Sequence, residues 1–197
     1  MNCSSNGPTR QRRTSNRSSN ESLRRIDDGD GGGDGDCDQP QRVKVGIAEY
    51  SIASGEAVLT TSGLGSCVGV AIYDASASVA GLVHAMLPSQ DEMDETGNEA
   101  KFVDSGIRRL VTELEREGAD RSNLRAKMAG GSDMLDFSED GPGIGARNTE
   151  VGRRTLEEFD IPVVGEDLGG ERGRSLRLET ASGDLVVKSA DRERRRL

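Results

Sequence analysis

The fold is decided by residues 60–74, TTSGLGSCVGVAIYD, together with residues 79–88, VAGLVHAMLP. Residues 68–73 and 79–87 are apolar and partly β-branched, and a short polar segment, residues 74–78, separates them. That pattern predicts a hairpin of two antiparallel strands. We therefore build the expected structure around this hairpin.

The hairpin brings the only histidine of the chain, His84, close to Cys67. With the turn centred near Ser76, His84 lies opposite a residue between 67 and 69. In the two odd registers Cys67 is a direct or diagonal neighbour of His84 on the same face of the sheet, whereas the even register places the two side chains on opposite faces. The sequence leaves this choice of register open.

A cysteine beside a histidine can form a nucleophile and its base. The imidazole accepts the thiol proton, and the resulting thiolate attacks an amide carbonyl. Gly63 and Gly65 keep the surroundings open, and we expect backbone N–H groups near Ser66 to face a developing oxyanion. The pattern alone equally describes two core residues, since a single cysteine at the start of an apolar strand is commonly a small buried side chain.

Five short motifs resemble the signature of the CheD-type chemoreceptor glutamine deamidases. They occur in the order of that family: GLGSCV at 63–68, GLVHAMLP at 81–88, KMAGGSDML at 127–135, IGARN at 144–148 and GEDLGGERGR at 165–174. The resemblance spans roughly residues 43–188 and implies that Cys67 is the nucleophile, His84 its base and Thr61 the third residue of the site. It also implies the fold shared by CheD and the deamidating cytotoxic necrotizing factor toxins.

The function that the resemblance implies is hydrolysis of glutamine side chains to glutamate in the cytoplasmic helices of chemoreceptors, without metal or organic cofactor. A CheC-type phosphatase is the second partner that it implies. Two alternatives stay open: a non-catalytic binding module that regulates this phosphatase, and hydrolysis of receptor glutamyl methyl esters by the same thiol.

Composition sets the domain limits and excludes several classes of partner. Residues 1–42 are rich in Arg, Ser, Asn, Asp and Gly and predict a disordered tail, residues 43–190 a single deamidase-like domain, and residues 191–197 a short charged, solvated tail. The net charge of −9 argues against nucleic acid. No apolar run is long enough to insert into a membrane and no signal peptide is recognisable, so we expect a cytoplasmic protein. One histidine leaves no basis for a zinc cluster.

The remaining pattern predicts an α+β domain, a sandwich with mixed or antiparallel sheet and two flanking helices. Six further strands are expected at residues 43–47, 57–61, 126–129, 162–165, 176–180 and 185–188. One amphipathic helix is expected at residues 98–117, ending at Gly118, and a second at residues 148–159, capped by Asn148 and ending before Pro162.

Overall fold

The structure, a computed structural model, describes residues 40–90, 97–132, 141–191 and 193–197. In this part of the chain two α-helices accompany ten strands. The helices are α1 (Val103–Arg116) and α2 (Ile144–Glu158). The strands are β1 (Gln41–Lys44), β2 (Glu49–Ser54), β3 (Ala57–Leu64), β4 (Val68–Asp74), β5 (Val79–Ala85), β6 (Arg125–Gly130), β7 (Val163–Leu168), β8 (Arg174–Glu179), β9 (Leu185–Ser189) and β10 (Arg194–Arg196).

The strands form two five-stranded sheets. The central sheet has the order β2-β5-β4-β6-β7, and the outer sheet has the order β1-β3-β8-β9-β10. Each sheet contains one parallel pair, β6 with β7 and β1 with β3, and the other pairs are antiparallel. The prediction of an α+β sandwich with mixed sheet and two helices is confirmed.

The central sheet is covered on both faces, which explains why β4 and β5 read as nearly continuous apolar runs. On one face Val70 belongs to a cluster that includes Ile107 of α1. On the other face Ala71 belongs to a second cluster that includes Leu59 of the outer sheet. The molecule therefore has three layers, with helices, central sheet and outer sheet in that order.

The β4–β5 hairpin has one of the two odd registers. Val68 pairs with Ala85, and Gly69 pairs with His84. Cys67 is then the diagonal neighbour of His84 on the same face. A Cβ atom added to Gly69 would lie 2.5 Å from Leu176 of the outer sheet, so this face points into the space between the sheets. The thiol and the imidazole thus share the inter-sheet face.

The turn of the hairpin is held by Asp74. Its Oδ1 accepts hydrogen bonds from the backbone N–H groups of Ser76 and Ala77, and its Oδ2 accepts one from Asp120 N. Burial alone would raise the pKa of the Asp74 carboxyl, but the hydrogen bonds from the Ser76 hydroxyl and from these three N–H groups together hold it below its usual value. A short side chain that satisfies its own turn is the usual function of Asp at such a position, and it fixes the length of the connection that sets the register.

Several elements differ from the predicted ones. β2 was not expected, and Arg194–Arg196, expected in a solvated tail, pair with β9 although their side chains are exposed. β1 begins at Gln41, inside the region expected to be tail, and ends at Lys44. The expectation that Asn148 caps the second helix is wrong, because α2 begins four residues earlier, after Gly143. Residues 1–39, with Cys3 and Cys37, lie outside the described residues.

Candidate active site

Cys67 is half-buried in the short loop that connects β3 with β4. The three carbonyl oxygens of this loop, residues 65–67, all accept hydrogen bonds from outside it. The pairs are Ser132 N to Gly65 O, Asn148 Nδ2 to Ser66 O and Gly131 N to Cys67 O, each at 2.8 Å. A loop with every carbonyl bound has little freedom to change its peptide orientations.

The end of β6 and the start of α2 approach this loop so closely that only glycine fits. A Cβ atom on Gly130, whose φ is +116°, would lie 2.3 Å from the carbonyl oxygen of Cys67. A Cβ atom on Gly145 would lie 2.7 Å from the carbonyl oxygens of Gly131 and Ser132. Since real Cβ atoms do not come this near to backbone oxygen, the missing side chains allow Gly130 to lie against the Cys67 loop and the first turn of α2 to lie against residues 131 and 132.

His84 lies on β5, and its ring is held by Thr61 of β3. The distance between Thr61 Oγ1 and His84 Nδ1 is 2.8 Å. Both residues are buried, and His84 is completely so. The other ring nitrogen, Nε2, is buried and has no hydrogen-bond partner among the described residues. One nitrogen of the ring is therefore oriented by a neighbour, while the second is available for a proton.

Burial makes both ionisable groups of the pair neutral at rest. It raises the pKa of the Cys67 thiol above its ordinary value of 9.0, although the backbone N–H of Cys67 acts in the opposite direction. It lowers the pKa of His84 from 6.5 to about 4. At neutral pH the site holds a thiol and an uncharged imidazole, and not the thiolate and imidazolium that a pre-formed ion pair would contain.

The backbone N–H groups of Ser66 and Cys67 are adjacent in the loop that carries the thiol. None of the hydrogen bonds between described residues uses either group as donor to another residue. Two adjacent N–H groups beside a thiol, neither of which donates to another described residue, can stabilise the oxyanion of a tetrahedral intermediate. The expectation that the neighbourhood of Gly65 and Ser66 binds an oxyanion stays a prediction.

Gly63 occupies a different place from the one expected. It lies in a bulge of β3, with a φ of +82°, and lines a cleft together with residues of β8 and β9, among them Arg174 and Lys188. Its role in the oxyanion neighbourhood has no contact to support it.

Asn148 is a site residue that the sequence reasoning missed. It was assigned to a helix cap, yet it is fully buried inside α2 and bonded to the loop of residues 65–67. A signal was present in the sequence, because Asn148 ends the IGARN motif at residues 144–148, one of the motifs that resemble the family.

A family model described as CheD chemotactic sensory transduction matches residues 86–189. The chain belongs to the CheD family. The matched residues begin just after His84, so they include both α-helices and β6, β7, β8 and β9, whereas the Cys67–His84 hairpin precedes them.

Curated relatives match a larger part of the chain. A protein of Haloarcula marismortui named probable chemoreceptor glutamine deamidase CheD is 57% identical over 77% of this chain and 87% of its own length. Proteins with the same name from Natronomonas pharaonis and Moorella thermoacetica are 48% and 43% identical, over 79% and 78% of this chain and 93% and 94% of their own lengths. Among solved structures, the Neisseria meningitidis protein NMB0706 is similar with a TM-score of 0.44 and 11% identity, over 67% of this chain and 63% of that one.

The described residues contain no group of three or more His, Cys, Asp and Glu side chains arranged to hold a metal ion. None of the helices in the same part of the chain has the length and apolar character needed to cross a membrane.

Proposed function

We propose that this protein is a chemoreceptor glutamine deamidase in which Cys67 is the nucleophile, His84 the base and Thr61 the residue that orients the base. The names of its relatives supply the reaction and the substrate class. The observation that carries the assignment of residues is the Thr61–His84 hydrogen bond, because it leaves Nε2 unpaired on the same sheet face as the thiol.

Thr61 selects the tautomer of His84 that the reaction needs. A base must keep Nε2 unprotonated, so the ring proton must be on Nδ1, where it donates to the hydroxyl oxygen of Thr61. That contact holds the ring in place and stabilises the imidazolium that forms later. The role corresponds to that of the third residue in other nucleophile triads, here supplied by a neutral hydroxyl.

The first half of the reaction forms a thioester. Because thiol and imidazole are both neutral at rest, His84 Nε2 takes the proton of Cys67 as the sulfur attacks the side-chain carbonyl carbon of glutamine. The negative charge that develops on the amide oxygen is accepted by the N–H groups of Ser66 and Cys67. The imidazolium then gives its proton to the departing nitrogen, the C–N bond breaks, and ammonia leaves.

The second half releases glutamate. Nε2 of His84, neutral again, removes a proton from a water molecule that attacks the thioester carbon. The same N–H groups bind the second oxyanion. The C–S bond breaks, the proton returns to the sulfur, and the glutamate product leaves the neutral thiol–imidazole pair as it was at the start.

The test is mass spectrometry of a chemoreceptor cytoplasmic domain incubated with the protein. Conversion of glutamine to glutamate raises the peptide mass by about 1 Da, and Cys67→Ala should abolish it, because without the sulfur no thioester forms. Cys3→Ala and Cys37→Ala are the matched controls and should convert the receptor at the wild-type rate. Conversion by Cys67→Ala at the wild-type rate would rule out the assignment of the nucleophile.

We further propose that a CheC-type phosphatase binds at the mouth of the same site, in the cytoplasm where receptor helices are modified. Two large apolar side chains are exposed on segments that adjoin Asn148: Met86, whose carbonyl oxygen accepts from Asn148, and Ile144, one helical turn before Asn148. An apolar rim around an active site is typical of a protein-binding surface. The phosphatase should then inhibit deamidation competitively, whereas a ternary complex with receptor and phosphatase bound together would refute the shared surface.

A further inference from the structure

Asn148 uses both of its amide protons on two backbone carbonyls that belong to different elements. Its Nδ2 donates to Ser66 O at 2.8 Å and to Met86 O at 3.0 Å. Carbonyl oxygens only accept hydrogen bonds, so the nitrogen end of this side chain must be the end that faces them. The side chain is completely buried, and no water competes for these contacts.

The two carbonyls lie in the segments that carry the proposed nucleophile and its base. Ser66 immediately precedes Cys67, and Met86 follows β5 two residues after His84. A single side chain from α2 therefore ties the loop of the thiol to the strand of the imidazole. Among the described residues, no other side-chain hydrogen bond joins the loop of residues 65–67 to β5 or Met86.

The orientation of the Ser66–Cys67 peptide follows from the contact with Asn148. In a planar trans peptide the C=O of one residue and the N–H of the next point in opposite directions, and the described residues contain no cis peptide bond. Holding Ser66 O toward Asn148 therefore turns the N–H of Cys67 away from α2. That N–H donates to no other described residue.

We propose that Asn148 is a positioning residue for the reaction: it fixes the Ser66–Cys67 peptide so that the N–H of Cys67 can bind the oxyanion. The inference rests on the proposed deamidase function. It assigns to Asn148 no contact with the substrate, and the effect on the reaction passes through the peptide that it holds.

The side-chain oxygen of Asn148 indicates that the position requires the N–H donors of an amide and not its acceptor. Its Oδ1 is buried without a partner among the described residues. An unsatisfied buried acceptor costs free energy, and an apolar side chain of similar size would avoid this cost. An apolar residue could not hold two carbonyl oxygens, however, so the donors explain why an amide occupies the position.

The experiment compares deamidation with alkylation of the same thiol. Attack on an amide forms an oxyanion, whereas displacement of iodide from iodoacetamide by the thiolate does not. In Asn148→Ala we expect kcat for deamidation to fall about 10²-fold, the lower part of the range for loss of one oxyanion donor, with KM little changed. The limiting alkylation rate at high pH, where the thiol is ionised, should remain that of the wild type. Asn123→Ala, an exposed substitution of the same kind, is the matched control.

A second variant tests the same role without the cavity that alanine would leave. Asn148→Asp has the same size but faces both carbonyls with a carboxylate, which can donate only when it is protonated. Its kcat relative to wild type should rise by about tenfold or more as the pH is lowered from about 8 to about 5, as protonation restores one donor. A residue that only supports the fold gives no such recovery.

Failure of the proposed deamidase function can be distinguished from failure of the positioning role of Asn148. A wild-type protein that converts no receptor glutamine overturns the proposed function and this role with it. An active wild type with wild-type kcat in Asn148→Ala overturns the inference alone. So does an equal fall of deamidation and limiting alkylation, or a pH-independent ratio in folded Asn148→Asp, because each describes a purely structural residue.

Discussion

Acid should destabilise this protein through His84, and the effect can be isolated because His84 is the only histidine in the chain. Burial lowers the pKa of His84 to about 4 in the folded protein, against 6.5 ordinarily. Between these two values the unfolded chain holds a proton on His84 that the folded protein does not. Stability therefore falls as the pH is lowered through this window and is fully retained above it.

The magnitude follows from the two pKa values. The free energy of unfolding should drop by about 2 kcal/mol between pH 7 and pH 5 and by about 3 kcal/mol between pH 7 and pH 4. Near pH 4 the folded protein also becomes protonated on His84, so the free energy of unfolding stops falling through His84 below that pH. A fully buried ring without an acidic partner among the described residues has no other group to oppose this trend.

The assay is urea unfolding at several pH values, for the wild type and for His84→Gln, which is uncharged throughout. The many carboxyl groups titrate in both proteins, so the difference between the two curves contains the titration of His84 alone. We expect wild type to lose about 3 kcal/mol more than His84→Gln between pH 7 and pH 4. Parallel curves would refute the neutral buried imidazole, and a wild type that gains stability on acidification would indicate a pre-formed ion pair with Cys67.

Three further predictions address the site. Alkylation of Cys67 should accelerate about tenfold per pH unit from pH 7 to pH 9, because burial raises the thiol pKa; a rate independent of pH near neutrality would contradict a thiol at rest. Thr61→Val should lower kcat and cost about 1–3 kcal/mol of stability by leaving Nδ1 unpaired, whereas Thr61→Ser should restore both, as measured by turnover and urea unfolding. Gly130→Ala should cost clearly more stability than Gly55→Ala, which has a positive φ but open space and should cost about 1–2 kcal/mol; equal costs would refute the close contact with Cys67 O.

The hairpin could be predicted from the sequence because its information is local. Alternating burial is not needed where both faces are covered, so two apolar runs and a short Asp-led turn sufficed to place β4 and β5. The sequence limited the register to two alternatives, with Cys67 and His84 on the same face or on opposite faces of the hairpin. It could not choose between them, since the choice depends on which side chains the outer sheet covers. The structure selects the same-face register by pairing Gly69 with His84.

β2 and β10 could not be predicted because their partners determine them. β2 has the sequence EYSIAS, with few strand-forming residues, and exists because it pairs along the edge of β5. β10 is three consecutive arginines that bind the edge of β9 through the backbone. Intrinsic preference is weak in both segments, and tertiary pairing decides their structure.

Asn148 shows the same limit within the site. A polar residue after a glycine-rich stretch has the signature of a helix cap, and the local pattern carries no information about carbonyls that lie 62 and 82 positions away along the chain. His84 was indicated by the predicted hairpin and Thr61 only by the family resemblance, and neither indicated the contact between them. Their hydrogen bond joins two different sheets, which no periodicity reports.

The division of the site between two sheets also sets the order in which it can be assembled during synthesis. Cys67 and His84 share a hairpin that can form as soon as it leaves the ribosome, whereas Thr61 pairs with Leu176 of β8, which is translated much later. Local pairings form early and distant ones late, so the pairing of Thr61 with Leu176 forms only after β8 has emerged. Under the proposed mechanism, a nascent chain that already displays the thiol lacks the complete outer sheet that holds Thr61 against His84, and we expect unfinished protein to be a poor catalyst toward glutamines of its neighbours.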